Sequence, residues 1–444
     1  MKRLFLNRSM LFFCIALLYR LGIYFLGPQI QGFTQDSFYY VPVAREIAAG
    51  HGIQYVWKWS EIYSFGWGDQ WGGQDPEEIR LAKAGHPAFK MVPEGVACKL
   101  LLQDPGYSFF LAFWHIVGLS HPTAIVVIQC LLAALLAPAI YTYVLRRAPP
   151  SCAAAAALLY ALDPIASSTC FFMLREVFVM LVVTTAVFAL DMTHRAAPLV
   201  KGFLLGWGTV SFALLGLWSN LLWVWDRWLS PRRRAVTISV VLVAWAVFGA
   251  WAARNILLSD GNYAFRRHQT ALLMYFTALY DFPGLPNVYD EDFKKVWVEA
   301  SAKAEYGFTV EQRRMEASFV RMTWEVFKAD PPKVAWRFVK CNFWFWHEVP
   351  GAMEILKNKP VIHIVLRTFH DAQVIFFLLG IAILIRTGTA SSFRFVWGTV
   401  AYVAIFIFPF MPIPRYYTPF LPLIDIVAAY GAVQVCQRVF SGKR

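Results

Sequence analysis

Side chains able to do acid–base or anion-binding chemistry stand beside the ends of this chain's apolar runs: Asp36, Asp104, Arg175, Glu176, Arg254, Arg266, Arg267, His268, His347, Glu348 and Arg415. Glu176 lies in Phe171-Phe172-Met173-Leu174-Arg175-Glu176-Val177-Phe178, at the head of an otherwise apolar run. A charge at the centre of a bilayer costs about 3 kcal/mol on insertion scales and less near the interface, so such a residue faces a wet cavity or a partner. The plainer reading is an interfacial Arg175–Glu176 pair, but neighbours on a helix diverge by about 100° and pair poorly. Asp36 sits in Gly32-Phe33-Thr34-Gln35-Asp36-Ser37-Phe38-Tyr39-Tyr40, just before an amphipathic stretch over residues 41–49 that Gly50-His51-Gly52 stops. It is either the cap of that helix, accepting a backbone N–H near Tyr39, or a carboxylate presented where a chain emerges from a membrane.

Arg254 and Arg415 each mark the end of an apolar run. Singly, an arginine there is an anchor whose head reaches for water; together, two guanidinium groups can hold a phosphate through paired N–H donors. Arg266-Arg267-His268 is a denser cluster, either a solvated turn or a second phosphate clamp. The chain has no Gly-rich nucleotide cradle, no HExxH and no nucleophile elbow, which leaves soluble nucleotide chemistry and peptidase chemistry without support.

The elements that must position these groups follow from composition. Hydrophobic residues make up 58%, charged residues 16%, and mean hydropathy is +0.48, the values of a polytopic membrane protein. The net charge of +13 is not pooled into one arm or patch, as a nucleic-acid surface requires. It is distributed at the ends of apolar runs. The 18 Trp suit interfacial belts. Cys14, Cys130, Cys152 and Cys436 are in or beside apolar runs as packing residues, whereas Cys98 and Cys341 fall in polar stretches where a disulfide on an oxidising face is open.

Lys2, Arg3 and Arg8 precede an apolar run with no small-residue cleavage site after it, so residues 9–26 read as an uncleaved first span. A polar loop over 28–105 leads to a short apolar helix ending near Gly118, too short to cross. Spans follow over 122–145, 151–169 and 171–190, then a stretch at 201–229 that is two short spans turning near Trp218-Ser219-Asn220 or one tilted helix, then 235–253. A second polar segment, 257–360, contains helical patterns at 292–304 and 310–328, and the last spans cover 361–385, 393–410 and 416–435. About ten crossings put the basic clusters on one side, cytoplasmic by the positive-inside rule, and both polar loops on the other. The expected organisation is an N-terminal membrane module over 1–256 that includes the first loop, the segment 257–360, and C-terminal helices over 361–444, all-α throughout. Both termini are then cytoplasmic.

Five motifs in order carry a resemblance: Gln35-Asp36-Ser37 followed by Tyr39-Tyr40, Asp104-Pro105-Gly106-Tyr107-Ser108-Phe109-Phe110, Leu174-Arg175-Glu176-Val177-Phe178, Trp251-Ala252-Ala253-Arg254-Asn255, and Arg415-Tyr416-Tyr417-Thr418-Pro419. Over nearly its whole length the chain resembles the GT-C superfamily of polyprenyl-phosphate-dependent glycosyltransferases. The resemblance is to the branch of dolichyl-phosphate-mannose protein mannosyltransferases and the aminoarabinose transferase. It implies a site at the outer face of a bacterial inner membrane, with a sugar transferred from a polyprenyl-phosphate carrier to a glycan, lipid or protein acceptor. By the same resemblance Asp36 acts on the acceptor hydroxyl and Glu176 lines the cavity. Arg254 and Arg415 match the phosphate-holding residues, Arg266, Arg267 and His268 less closely, and Tyr40, Asp104, Tyr107 and Tyr416 fall in the substrate-binding motifs. Gln103-Asp104 stands where some relatives carry Glu-Lys, so no metal or other cofactor is expected. A transporter of lipid-linked sugars and a non-catalytic assembly protein are the alternatives; the long loops and the lack of an internal repeat favour the transferase over the transporter.

Overall fold

The computed structural model describes residues 2–26, 37–56, 97–98, 104–191, 196–212, 215–216, 218–222, 234–258, 274–275, 277–278, 312–347, 360–407 and 414–441. In chain order the helices are α1 (Lys2–Leu26), α2 (Ser37–Ala48), α3 (Gly106–Ile116), α4 (Pro122–Ala134), α5 (Leu136–Leu145), α6 (Pro150–Ala161), α7 (Pro164–Thr169) and α8 (Arg175–Leu190). Then come α9 (Ala197–Ser211), α10 (Arg234–Leu258), α11 (Gln312–Ala329), α12 (Pro331–His347), α13 (Pro360–Arg386), α14 (Arg394–Tyr402) and α15 (Leu421–Ser441). A π-helical turn at Val403–Ile407 extends α14, and a 3-10 turn at Pro414–Phe420 leads into α15. The fold is mostly helical, with one short antiparallel ladder pairing β1 (Tyr55–Val56) with β2 (Ala97–Cys98).

Among the described residues, five stretches are long and apolar enough to cross a bilayer: Asn7–Phe25, Pro122–Leu145, Ile238–Leu258, Ile364–Arg386 and Tyr416–Phe440. Their outward faces carry exposed Leu18, Leu242, Ile364, Leu378 and Ile385, a surface suited to lipid tails rather than water. A core of Ala, Val, Leu and aromatic side chains runs unbroken from α1 through α4–α9 to α15.

Close helix approach rests on glycine. On α9, a Cβ at Gly202 would lie 2.6 Å from Val240 O, and one at Gly206 would lie 2.7 Å from Ala244 O, both on α10. On α13 and α15, a Cβ at Gly380 would overlap Val427 O and one at Gly431 would overlap Phe376 O. Among apolar helices in lipid there is no hydrophobic drive to associate, so contact through small residues is the main source of specificity.

Several expectations are corrected. The 151–169 stretch is not one helix: α6 stops at Leu162, and Asp163 starts α7 by capping Ile165 N and Ala166 N ahead of Pro164. The break after α9 falls at Phe212, in extended conformation (φ −155°, ψ 101°), while Trp218, Ser219 and Asn220 are helical. The 171–190 helix begins only at Arg175, and the 393–410 stretch opens in a 3-10 turn and ends in the π turn. The segment 257–360 contains α12 beyond the helix expected at 310–328, which α11 matches; residues 292–304 lie outside the described ones. Cys341 is a buried free thiol, not half of a bridge to Cys98. Burial pushes that thiol up to about 12 against a lowering contact from Thr277, so it is unreactive near neutral pH.

Replacement of Gly431 by Val forces α13 and α15 apart. The expected cost is roughly 1–3 kcal/mol, the range of overpacked cores, read as a lower thermal midpoint in detergent. Gly249→Ala, where a Cβ meets nothing within 4 Å, should leave the midpoint unchanged.

Candidate functional site

The N-terminus of α8 is where the acid and base groups converge. Arg175 and Glu176 occupy its first turn and are 6% and 2% exposed. Arg175 Nη1 lies 3.6 Å from Asp104 Oδ2, and its guanidinium stacks over Phe212 at 4.7 Å and over Tyr416 at 5.8 Å from the ring centres. Three distant segments thus meet the cation at the head of α8: the residues ahead of α3, the break after α9 and the 3-10 turn before α15. The first N–H groups of a helix carry partial positive charge, and Asp104 and Glu176 set two carboxylates beside Arg175 at this end.

Each neighbour is placed by a local device. Gly106 lets the start of α3 press against Ser211 at the end of α9, since a Cβ there would overlap the serine side chain. Gln129 on α4 accepts from Tyr107 Oη at 2.7 Å and donates to Cys170 O and Phe172 O, both at 2.9 Å. One buried amide therefore fixes the turn into α8 and the tyrosine facing it. Tyr40 meets Tyr107 edge-on at 5.2 Å and 89°. Burial, with Tyr40 and Glu176 adding to it, holds the Tyr107 phenol well above the ordinary tyrosine range, which keeps it a donor.

Arg254 stands apart from this cluster. Its guanidinium donates to Ile53 O and, at 3.1 Å, to Asn255 Oδ1, and stacks on Trp251 at 4.9 Å. Trp251 packs with Val43 on α2 and Val210 on α9, so Arg254 fastens the chain leaving α2 while Arg175 faces the Tyr40 side of the same neighbourhood. Arg415 belongs to the 3-10 turn beside Tyr416. Asp36, Arg266, Arg267, His268 and Glu348 lie outside the described residues, and His347 closes α12. The residue the sequence undervalued is Arg175. Its plainer reading is a pair with Glu176, whereas it pairs with Asp104; the divergence of about 100° between adjacent helix positions is the signal against the former.

At the other end of α8, Lys201 Nζ caps Leu190 O at 2.7 Å, and Asp191 joins Arg147, with Arg394 at 3.8 Å. The basic residues that end several apolar runs therefore meet around a single carboxylate. Among the described residues no group of three or more His, Cys, Asp or Glu is arranged to hold a metal. Comparison of the chain with family models, with curated proteins and with solved structures gives no match.

Arg175→Met should be costly because it leaves Asp104 buried opposite an apolar chain. Breaking a buried pair from one side costs about 3–5 kcal/mol, and the Arg175→Met/Asp104→Asn double variant should recover part of it. A thermal double-mutant cycle checks this; additive losses would show that the two residues do not act as a pair.

Proposed function

We propose that this protein is a GT-C-type membrane glycosyltransferase that moves a sugar from a polyprenyl-phosphate carrier to an acceptor hydroxyl at the extracytoplasmic face. The supporting observation is the convergence of Arg175, Asp104, Glu176, Tyr107 and Tyr416 at the head of α8. The proposed topology has about ten crossings. The basic cluster around Asp191 is then cytoplasmic, and the α8 N-terminus lies at the outer boundary within reach of a lipid phosphate.

The chemistry requires two things. The acceptor oxygen forms a bond to the anomeric carbon while the bond from that carbon to the phosphate oxygen breaks, and the electron pair leaves with the phosphate. Arg175 and the positive end of α8 offset the charge that grows there, with Arg415 as a further cation on the turn beside Tyr416, while Arg254 holds the chain after α2. Asp36 takes the acceptor proton, and attack opposite the phosphate inverts the centre. Glu176 is the acid proposed to face the sugar, and Tyr107, held by Gln129, fixes the wall beside it. Specificity for the sugar belongs to these neutral and acidic groups, since the cations recognise only the phosphate.

Donor consumption by the full chain in vesicles with a labelled polyprenyl-phosphate sugar tests the reading. Asp36→Asn should lower transfer by roughly 10²–10⁴-fold, the usual worth of a general base, with donor binding kept. Arg175→Lys should weaken donor binding, because an ammonium lacks the planar pair of donors. Wild-type rates from Asp36→Asn would remove it as the base. Movement of the labelled lipid across the vesicle without sugar release would replace the transferase by a flippase.

A further inference from the structure

A second polar cluster lies inside the bundle, where α1, α6, α7, α13 and α15 meet. Gln373 Nε2 on α13 donates to Asp425 Oδ1 on α15 at 2.5 Å and to Asp163 Oδ2 at 3.2 Å. Asp163 Oδ1 is already occupied, accepting Ile165 N at 2.7 Å and Ala166 N at 3.0 Å. Both aspartates are fully buried and Gln373 is 2% exposed. Two acceptor atoms of the cluster, Gln373 Oε1 and Asp425 Oδ2, have no hydrogen-bond partner among the described residues.

Charge decides what is missing. The nearby cation is Arg20, whose guanidinium donates to Ala16 O, Ala161 O and Tyr160 O and stacks on Tyr160 at 4.8 Å. The other titratable groups around the aspartates are Tyr19 on α1, Tyr160 on α6, Cys170 after α7, His370 on α13, and Tyr417 of the 3-10 turn, which faces His370 edge-on at 5.5 Å. With these neutral, two carboxylates and one guanidinium leave a net charge of one, negative, in a fully buried layer. An uncompensated buried charge is far more costly than a proton taken from water at neutral pH. A metal ion fits poorly, because the two carboxylates meet the N–H side of the Gln373 amide rather than its oxygen.

We propose that Asp163, Gln373 and Asp425 form a proton-binding site that keeps one proton, on Asp425, in the folded protein at neutral pH. The proton turns one of two unfilled acceptors into a donor and brings the layer to neutrality. Tyr417 adjoins Tyr416 on the same short turn, so the site borders the Arg175 cluster through one residue step. The proposal does not depend on the glycosyl-transfer reading.

The sign of its consequence is fixed. The folded chain holds one proton more than the unfolded chain, whose aspartates are ionised above about pH 4, so stability falls as pH rises until the site empties. Thermal unfolding of the full chain in detergent between about pH 6 and pH 9 should show a decline of roughly 1–3 °C per pH unit, nearly abolished in Asp425→Asn. Asp163→Asn, which retains a capping oxygen, should flatten it as well. Infrared spectra of the wild type labelled with carboxyl-13C aspartate should show a neutral-acid carbonyl band at neutral pH that fades on alkalinisation, whether or not the variants fold. An absent band overturns the proposal. So does a pH slope that survives Asp425→Asn but vanishes in His370→Gln, which moves the proton to the imidazole. Recovery of the alkaline midpoint by sodium but not choline chloride also overturns it, in favour of a metal cation.

Discussion

The expense of holding ionised groups away from water governs this structure. Arg175 is nearly inaccessible, and leaving it uncompensated would cost several kcal/mol. Asp104 offsets its charge, and the faces of Phe212 and Tyr416 replace part of its hydration. Since these groups come from four separate segments, the ion pair and its aromatic walls exist only in the assembled bundle. The glycine contacts of α9 with α10 and of α13 with α15 supply that assembly without using polar side chains.

Helix α8 connects the two electrically distinct ends. Its N-terminal turn gathers Arg175, Glu176, Tyr107 and Tyr416, and its C-terminus is closed by Lys201 and the Asp191 cluster. Cations at a helix C-terminus and carboxylates near its N-terminus both follow the helix dipole, so the one element has its two ends set by opposite charges.

Much of the architecture was legible from hydropathy. The long apolar runs at 9–26, 122–145, 235–253 and 361–385 match described helices closely, because a bilayer-length apolar stretch has few other solutions. Interruptions were harder to see. Asp163-Pro164 is a helix-start signal, yet it was overridden by the apolar run on either side, and Phe212 has no breaker residue to announce it. Helix α12 opens at Pro331-Pro332 and was hidden by the polarity of its surroundings. Of the candidate site, Glu176, Asp104, Tyr107, Tyr40 and Tyr416 can be named from position and motif, while the Arg175–Asp104 pairing and the Asp163–Gln373–Asp425 cluster cannot. Those are tertiary facts: each polar residue taken alone looks like a single interruption of an apolar run.

Arg20 carries a consequence for how the polypeptide is made. It lies in α1, but two of its three carbonyl acceptors, at Tyr160 and Ala161, belong to a part of the chain translated some 140 residues later. Until then only Ala16, one turn away, is at hand, and a lone arginine costs about 2.5–3.5 kcal/mol at the centre of a newly inserted helix. The folded surroundings of this arginine are therefore complete only once α6 has docked against α1.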